Sequence, residues 1–134
     1  MRETLNFILV DDDPLNNSIC KHVIKAAIDA TDIRDFIYPE EALEFLQKHP
    51  DTIKDNTILL LDINMPRVNA WEFLKVYDTF DERLRNKITL YILSSSLNEN
   101  DMEKARTNPH VKEYITKPLS KEAVLQIAET PSGK

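Results

Sequence analysis

Glycine is almost absent: Gly133 is the only one in 134 residues. Loops that cradle phosphate through bare backbone need several glycines, so nucleotide P-loops and typical dinucleotide fingerprints are excluded. Cysteine is equally scarce. Cys20 alone permits neither an internal disulfide nor a cysteine-based metal site, and fits a reducing, cytoplasmic compartment. The histidines, His22, His49 and His110, are scattered without ligand spacing. No apolar run approaches the roughly 18 residues of a membrane-spanning helix. The start, MRETLNFILVDDD, lacks the basic n-region of a secretory signal. Positive charge is short as well: 17 Lys and Arg stand against 23 Asp and Glu, for a net charge of -6. Nucleic acids and anionic membranes need a basic surface, so neither is expected as the main partner.

What is present is an alternation of short apolar runs and amphipathic stretches. LNFILV (5–10), IRDFIY (33–38), TILLL (57–61), ITLYIL (88–93) and EYIT (113–116) read as strands. Each is followed by helical periodicity. Pro14 and Pro39 suit first turns of helices. Ile19, Val23, Ile24 and Ala27 form the first apolar face, and Ala42, Leu43, Phe45 and Leu46 the second. Ala70, Phe73, Leu74 and Tyr77 form the third, with Trp71 beside it. Asn98 caps a fourth helix over 99–106, and Ser120 a fifth with Ala123, Val124, Ile127 and Ala128 inward. The terminal TPSGK is expected to fray.

Strand–helix units in series imply a parallel sheet covered on both faces. The expected architecture is α/β, flavodoxin-like, with five strands in the order 2-1-3-4-5. A length of 134 residues fits one domain. Its core is expected over about 5–130, with 131–134 as a tail.

In such a sheet, ligands bind beyond the carboxyl ends of the strands, at the switch in strand order. Strand one ends in Asp11, Asp12 and Asp13, and strand three in Asp62. Strand four ends in Ser94, Ser95 and Ser96, and strand five in Lys117. Carboxylates about 4 Å apart repel by a few kcal/mol per pair at an effective dielectric near 20. They need a cation. Oxygen-only donors in an open site favour Mg²⁺. Metal, the Lys117 ammonium and the Ser94 hydroxyl would together neutralise phosphoryl oxygens, with Asp62 as nucleophile.

LVDD (9–12), LLLDINMP (59–66), ILSS (92–95) and YITKP (114–118), in this order at strand ends, resemble the signature set of response-regulator receiver domains of two-component signalling. The resemblance covers roughly residues 5 to 130. It implies that Asp62 is the phospho-acceptor, fed by a sensor histidine kinase or a histidine phosphotransfer protein. Asp11 and Asp12 match the acidic pair, Asp12 binding Mg²⁺ directly and Asp11 through water. Asn64 would offer its backbone carbonyl to the metal. Ser94 matches the switch hydroxyl, Lys117 the signature lysine and Tyr114 the aromatic switch. The residue before Pro118 often carries a cis bond. The face of helix four, strand five and helix five would contact a downstream protein. Asn64 and Ser96 occupy positions that tune loss of the phosphoryl group, and a moderate lifetime is expected. A stand-alone regulator is implied rather than an enzyme in the ordinary sense.

The pattern departs from the family at Ala70 and in TNPHVKE (107–113), where glycine is frequent, and in the run of three serines. Asp13 reads as a helix cap. One alternative is a haloacid-dehalogenase-type phosphatase, because Asp11 and Asp13 have D-x-D spacing; Leu15 does not fit that motif, and Asp62 would lack a role. A phosphorylation-independent binding module leaves the acceptor constellation unexplained. A flavodoxin would meet three aspartates where flavin phosphate needs hydroxyls and glycines.

Overall fold

The computed structural model describes residues 5–29 and 32–129. In chain order the elements are β1 (Asn6–Val10), α1 (Pro14–Ala27), β2 (Asp32–Phe36), α2 (Pro39–Lys48), a 3-10 turn (Pro50–Thr52) and β3 (Thr57–Leu61). Then come α3 (Ala70–Tyr77), the single turn α4 (Glu82–Arg85), β4 (Ile88–Ser94), α5 (Glu99–Thr107), β5 (Val111–Thr116) and α6 (Lys121–Glu129). All neighbouring strands pair in parallel, in the expected order β2-β1-β3-β4-β5.

Side chains alternate across the pleat, so each central strand feeds two cores. Ile8, Val10, Leu59, Leu61, Leu90 and Ile92 face one layer, closed by Ala42 and Leu46 of α2, Phe73 and Leu74 of α3, Leu84 of α4 and Ala105 of α5. Phe7, Leu9, Ile58, Leu60, Tyr91 and Leu93 face the other, closed by Cys20 and Ile24 of α1 and by Val124 and Ile127 of α6. All five residues of β3 are buried, which is why TILLL has no polar alternation. Burying one such side chain contributes about 1.5–3 kcal/mol.

Local chemistry sets the helix starts. The Asp13 carboxylate accepts from the Leu15 amide at 3.0 Å, ahead of Pro14. Asn69 and Glu72 form a reciprocal capping box on α3. Asn98 accepts from the Asn100 and Asp101 amides. Ser120 Oγ accepts from the Ala123 amide at 3.0 Å.

Four expectations need correction. β2 ends at Phe36, not at 38, because Tyr38 is already the cap residue of α2. β5 begins at Val111, since a bulge lets Glu113 rather than Lys112 pair with Tyr91. Ile19 does not face the core; it is 43% exposed, and Cys20 takes the inward position of α1. α4 and the 3-10 turn have too few residues to show a period in the sequence. The expected frayed segment, 130–134, lies outside the described residues.

Candidate functional site

Three carboxyl ends of the sheet deliver the charged groups. Asp11 follows β1; its amide donates to the Phe36 carbonyl at 3.1 Å, extending the ladder past Val10. Asp62 follows β3 in the same way, its amide donating to the Val10 carbonyl at 3.0 Å. The Lys117 amide donates to the Ser94 carbonyl at 3.0 Å, which ties the end of β5 to the end of β4. Because the ladder continues to these residues, they are held by the sheet and not by mobile loops.

Lys117 Nζ lies 2.7 Å from Asp11 Oδ2 and 3.3 Å from Asp62 Oδ1. Both carboxylates are buried, so these contacts act at low dielectric and are strong. Burial works against the Lys117 charge, but its hydrogen bond to Asp11 and the pull of both carboxylates outweigh it and hold its pKa above the ordinary lysine value. Asp62 is pushed up to about 6, first by burial and then by the Asp11 charge, with Lys117 only partly offsetting them. A carboxyl raised by burial and a like charge at the edge of a sheet is typical of a functional site.

Asp12 supplies the opening to solvent. It is exposed, and ligand oxygens of Asp11, Asp12 and Asp62 all lie within 4.8 Å of one another. An all-oxygen, partly open trio with excess negative charge fits a hard divalent ion that keeps waters, as Mg²⁺ does. Asn64 is exposed, two residues past Asp62 on the β3–α3 loop, between the buried Ile63 and Met65. That loop is closed by the Ala70 amide donating to the Ile63 carbonyl at 3.0 Å. Within it Arg67 adopts φ 71, a left-handed conformation that costs a non-glycine residue energy.

Ser94 is buried, and its Oγ accepts from the Ser96 amide at 3.1 Å. Ser96 Oγ donates to Asp101 Oδ2 at 3.0 Å and accepts from the Asn98 amide at 3.2 Å. The Tyr114 hydroxyl donates to the Ser96 carbonyl, and its ring packs against the core layer below. Ser94 and Tyr114 therefore grip one short loop, β4–α5, from both sides. The Lys117–Pro118 bond is cis.

Asp13 stands apart. It caps α1 and does not join the three-carboxylate group, which removes the D-x-D reading. Sequence reasoning missed two residues that hold Asp11. Asn16 Nδ2 donates to Asp11 Oδ2 at 2.7 Å, and Asn17 Nδ2 donates to the Asp11 carbonyl at 3.1 Å. The signal was available: two amides in the first turn of a helix that starts just after the aspartates. Cys20 lies 3.7 Å from the same Asn16 nitrogen, and burial, with Asp11 beside it, pushes its thiol up to about 11.

No curated protein matches the chain. Among solved structures, a response regulator receiver protein from Dyadobacter fermentans is 28% identical, with a TM-score of 0.82, covering 95% of this chain and 100% of that one. A two-component response regulator from Cytophaga hutchinsonii is also 28% identical, with a TM-score of 0.85 and coverage of 94% and 95%. One from Legionella pneumophila, 22% identical at a TM-score of 0.75, shares the fold. The family model described as "Response regulator receiver domain" matches residues 7–129, and the chain belongs to that family.

Proposed function

We infer that Asp62 accepts a phosphoryl group and that the chain passes this signal on through a protein-binding face. The observation that carries the reading is Lys117 Nζ placed between Asp11 and Asp62 at the switch point of the sheet. The donor is a phosphohistidine of a sensor histidine kinase or histidine phosphotransfer protein. An Asp62 oxygen attacks phosphorus, the P–N bond breaks as the P–O bond forms, and the imidazole leaves and takes up a proton. Lys117 releases part of its hold on the carboxylates and neutralises a phosphoryl oxygen. Asp11, Asp12, Asp62 and the Asn64 carbonyl would hold Mg²⁺, which supplies charge neutralisation to the phosphoryl oxygens. Asn16 and Asn17 keep Asp11 in place. Hydrolysis later breaks the P–O bond, restores the Asp62 carboxylate and releases inorganic phosphate.

The phosphoryl group carries nearly two negative charges and stands beside Ser94. Ser94 donates its hydroxyl proton to a phosphoryl oxygen, and its Oγ lets go of the Ser96 amide. The β4–α5 loop then shifts, and with it the Tyr114 hydrogen bond to Ser96. The face formed by α5, β5 and α6 changes shape, a two-state equilibrium biased by one covalent group. In the unphosphorylated form the Ser96 hydroxyl is engaged by Asp101 and the Asn98 amide.

Incubation with acetyl phosphate, with and without Mg²⁺, tests the reading by intact mass and Trp71 fluorescence. The expected result is one phosphoryl adduct that needs Mg²⁺ and disappears in Asp62→Asn. No adduct under any condition, or an equal adduct in Asp62→Asn, overturns it.

A further inference from the structure

A second concavity lies at the other end of the sheet. A cavity of about 300 Å³ opens at the starts of β4 and β5, lined by Tyr77, Arg85, Thr89, His110 and Lys112 among others. That is the lower end of small-molecule pocket sizes.

Its chemistry is selective. Three cationic or potentially cationic side chains line it, and no carboxylate does among the described residues. That is unusual for a chain of net charge -6. Arg85 is fixed by its Nε donating to the Phe80 carbonyl at 3.0 Å, which leaves its terminal nitrogens for the cavity. His110 stands edge-on to the Tyr77 ring at 5.3 Å and is bonded to Asp78 at 2.6 Å, so the Asp78 carboxylate is already engaged. Lys112 is the extra residue of the β5 bulge, a distortion that re-aims a side chain.

The second observation is the Tyr77 phenol. Tyr77 is only 2% exposed, and its hydroxyl has no hydrogen-bond partner among the described residues. No fully buried side-chain oxygen or nitrogen there lacks a partner. The hydroxyl therefore opens onto the cavity that the residue lines. There it is completed by water in the free protein and is available as a donor to a bound group.

We propose that this cavity is a binding site for a small organic anion, bearing a carboxylate or phosphate group held by Arg85, Lys112 and the Tyr77 hydroxyl. The apolar walls from Ile88 and Leu90 take the remainder of the ligand. The site stands apart from Asp62, which lies at the opposite ends of the strands.

The test is amide chemical shifts of the full chain, titrated with inorganic phosphate and separately with benzoate at constant ionic strength. Saturable shifts of Thr89, His110 and Lys112 with either anion support the site and tell which headgroup it takes. Arg85→Gln should weaken that binding about tenfold, and Tyr77→Phe severalfold, while each spectrum reports that the fold is intact. Lys112→Gln, at an exposed position, repeats the test without touching the core. Shifts that stay linear, that are confined to the Asp62 end, or that are unchanged in Arg85→Gln and Lys112→Gln overturn the proposal.

Discussion

Asp62 releases its proton near pH 6 in the folded protein, against an ordinary value of 3.8. Between those values the native state holds a proton that the unfolded chain has lost. Stability without metal therefore falls as pH rises from about 4 to about 6, then levels off. Two pKa units correspond to ~3 kcal/mol as an upper bound. Urea denaturation in a chelator should show the wild type losing stability over that interval. Asp62→Asn should remove this fall and be the more stable protein at pH 7.5. A wild-type profile that is flat, or that rises, contradicts the origin assigned to the shift. Mg²⁺ should raise the wild-type midpoint at pH 7.5 and do so far less in Asp62→Asn. Asn16→Ala removes a 2.7 Å hydrogen bond to a buried carboxylate, with an expected cost of about 1–3 kcal/mol. Thermal unfolding checks this, and acetyl phosphate uptake should slow in the same variant.

At the scale of elements, the β4–α5 loop is held by a few hydrogen bonds. Tyr114→Phe keeps the ring in the core and deletes the bond to the Ser96 carbonyl. Amide exchange at Ser96 and Asn98, whose amides are hydrogen-bonded within the loop, should quicken in this variant, with a global cost of only about 1 kcal/mol. Unchanged exchange would mean that the hydroxyl does not hold the loop. Asn98→Ala should fray α5 and cost about 1 kcal/mol, read by urea denaturation. Most of these elements were legible beforehand, because buried parallel strands read as unbroken apolar runs and Asp13, Asn98 and Ser120 announce helix starts. What escaped has physical reasons. A single turn such as Glu82–Arg85 carries no period. Ile19 looks inward by spacing, but the inward stripe of α1 runs through Asn17, Cys20 and Ile24, and a polar Asn17 hides that stripe from a count of apolar residues. At the strand ends the aspartates, Ser94 and Lys117 could be read because sheet order alone brings them to one edge. Asn16 and Asn17 are visible beside the aspartates but carry little weight, since an amide near a helix start is usually solvated.

For the whole molecule, one sheet is shared by two cores, and the layers are not independent. Leu61 is fully buried one residue before Asp62. Leu61→Ala should cost about 2–5 kcal/mol and lower the unfolding of both layers together, as a single transition by near- and far-ultraviolet circular dichroism. Two separated transitions would show that the layers unfold apart.

The rims of the sheet have a further consequence. β2 presents Asp32, Arg34 and Asp35 along one border. β5 presents Lys112 and Glu113 beside its bulge on the other. Each border would bring ionised side chains face to face with any added strand, and the bulge breaks the regular spacing a newcomer would need. The same five strands that supply a stable scaffold are thus kept from templating fibres.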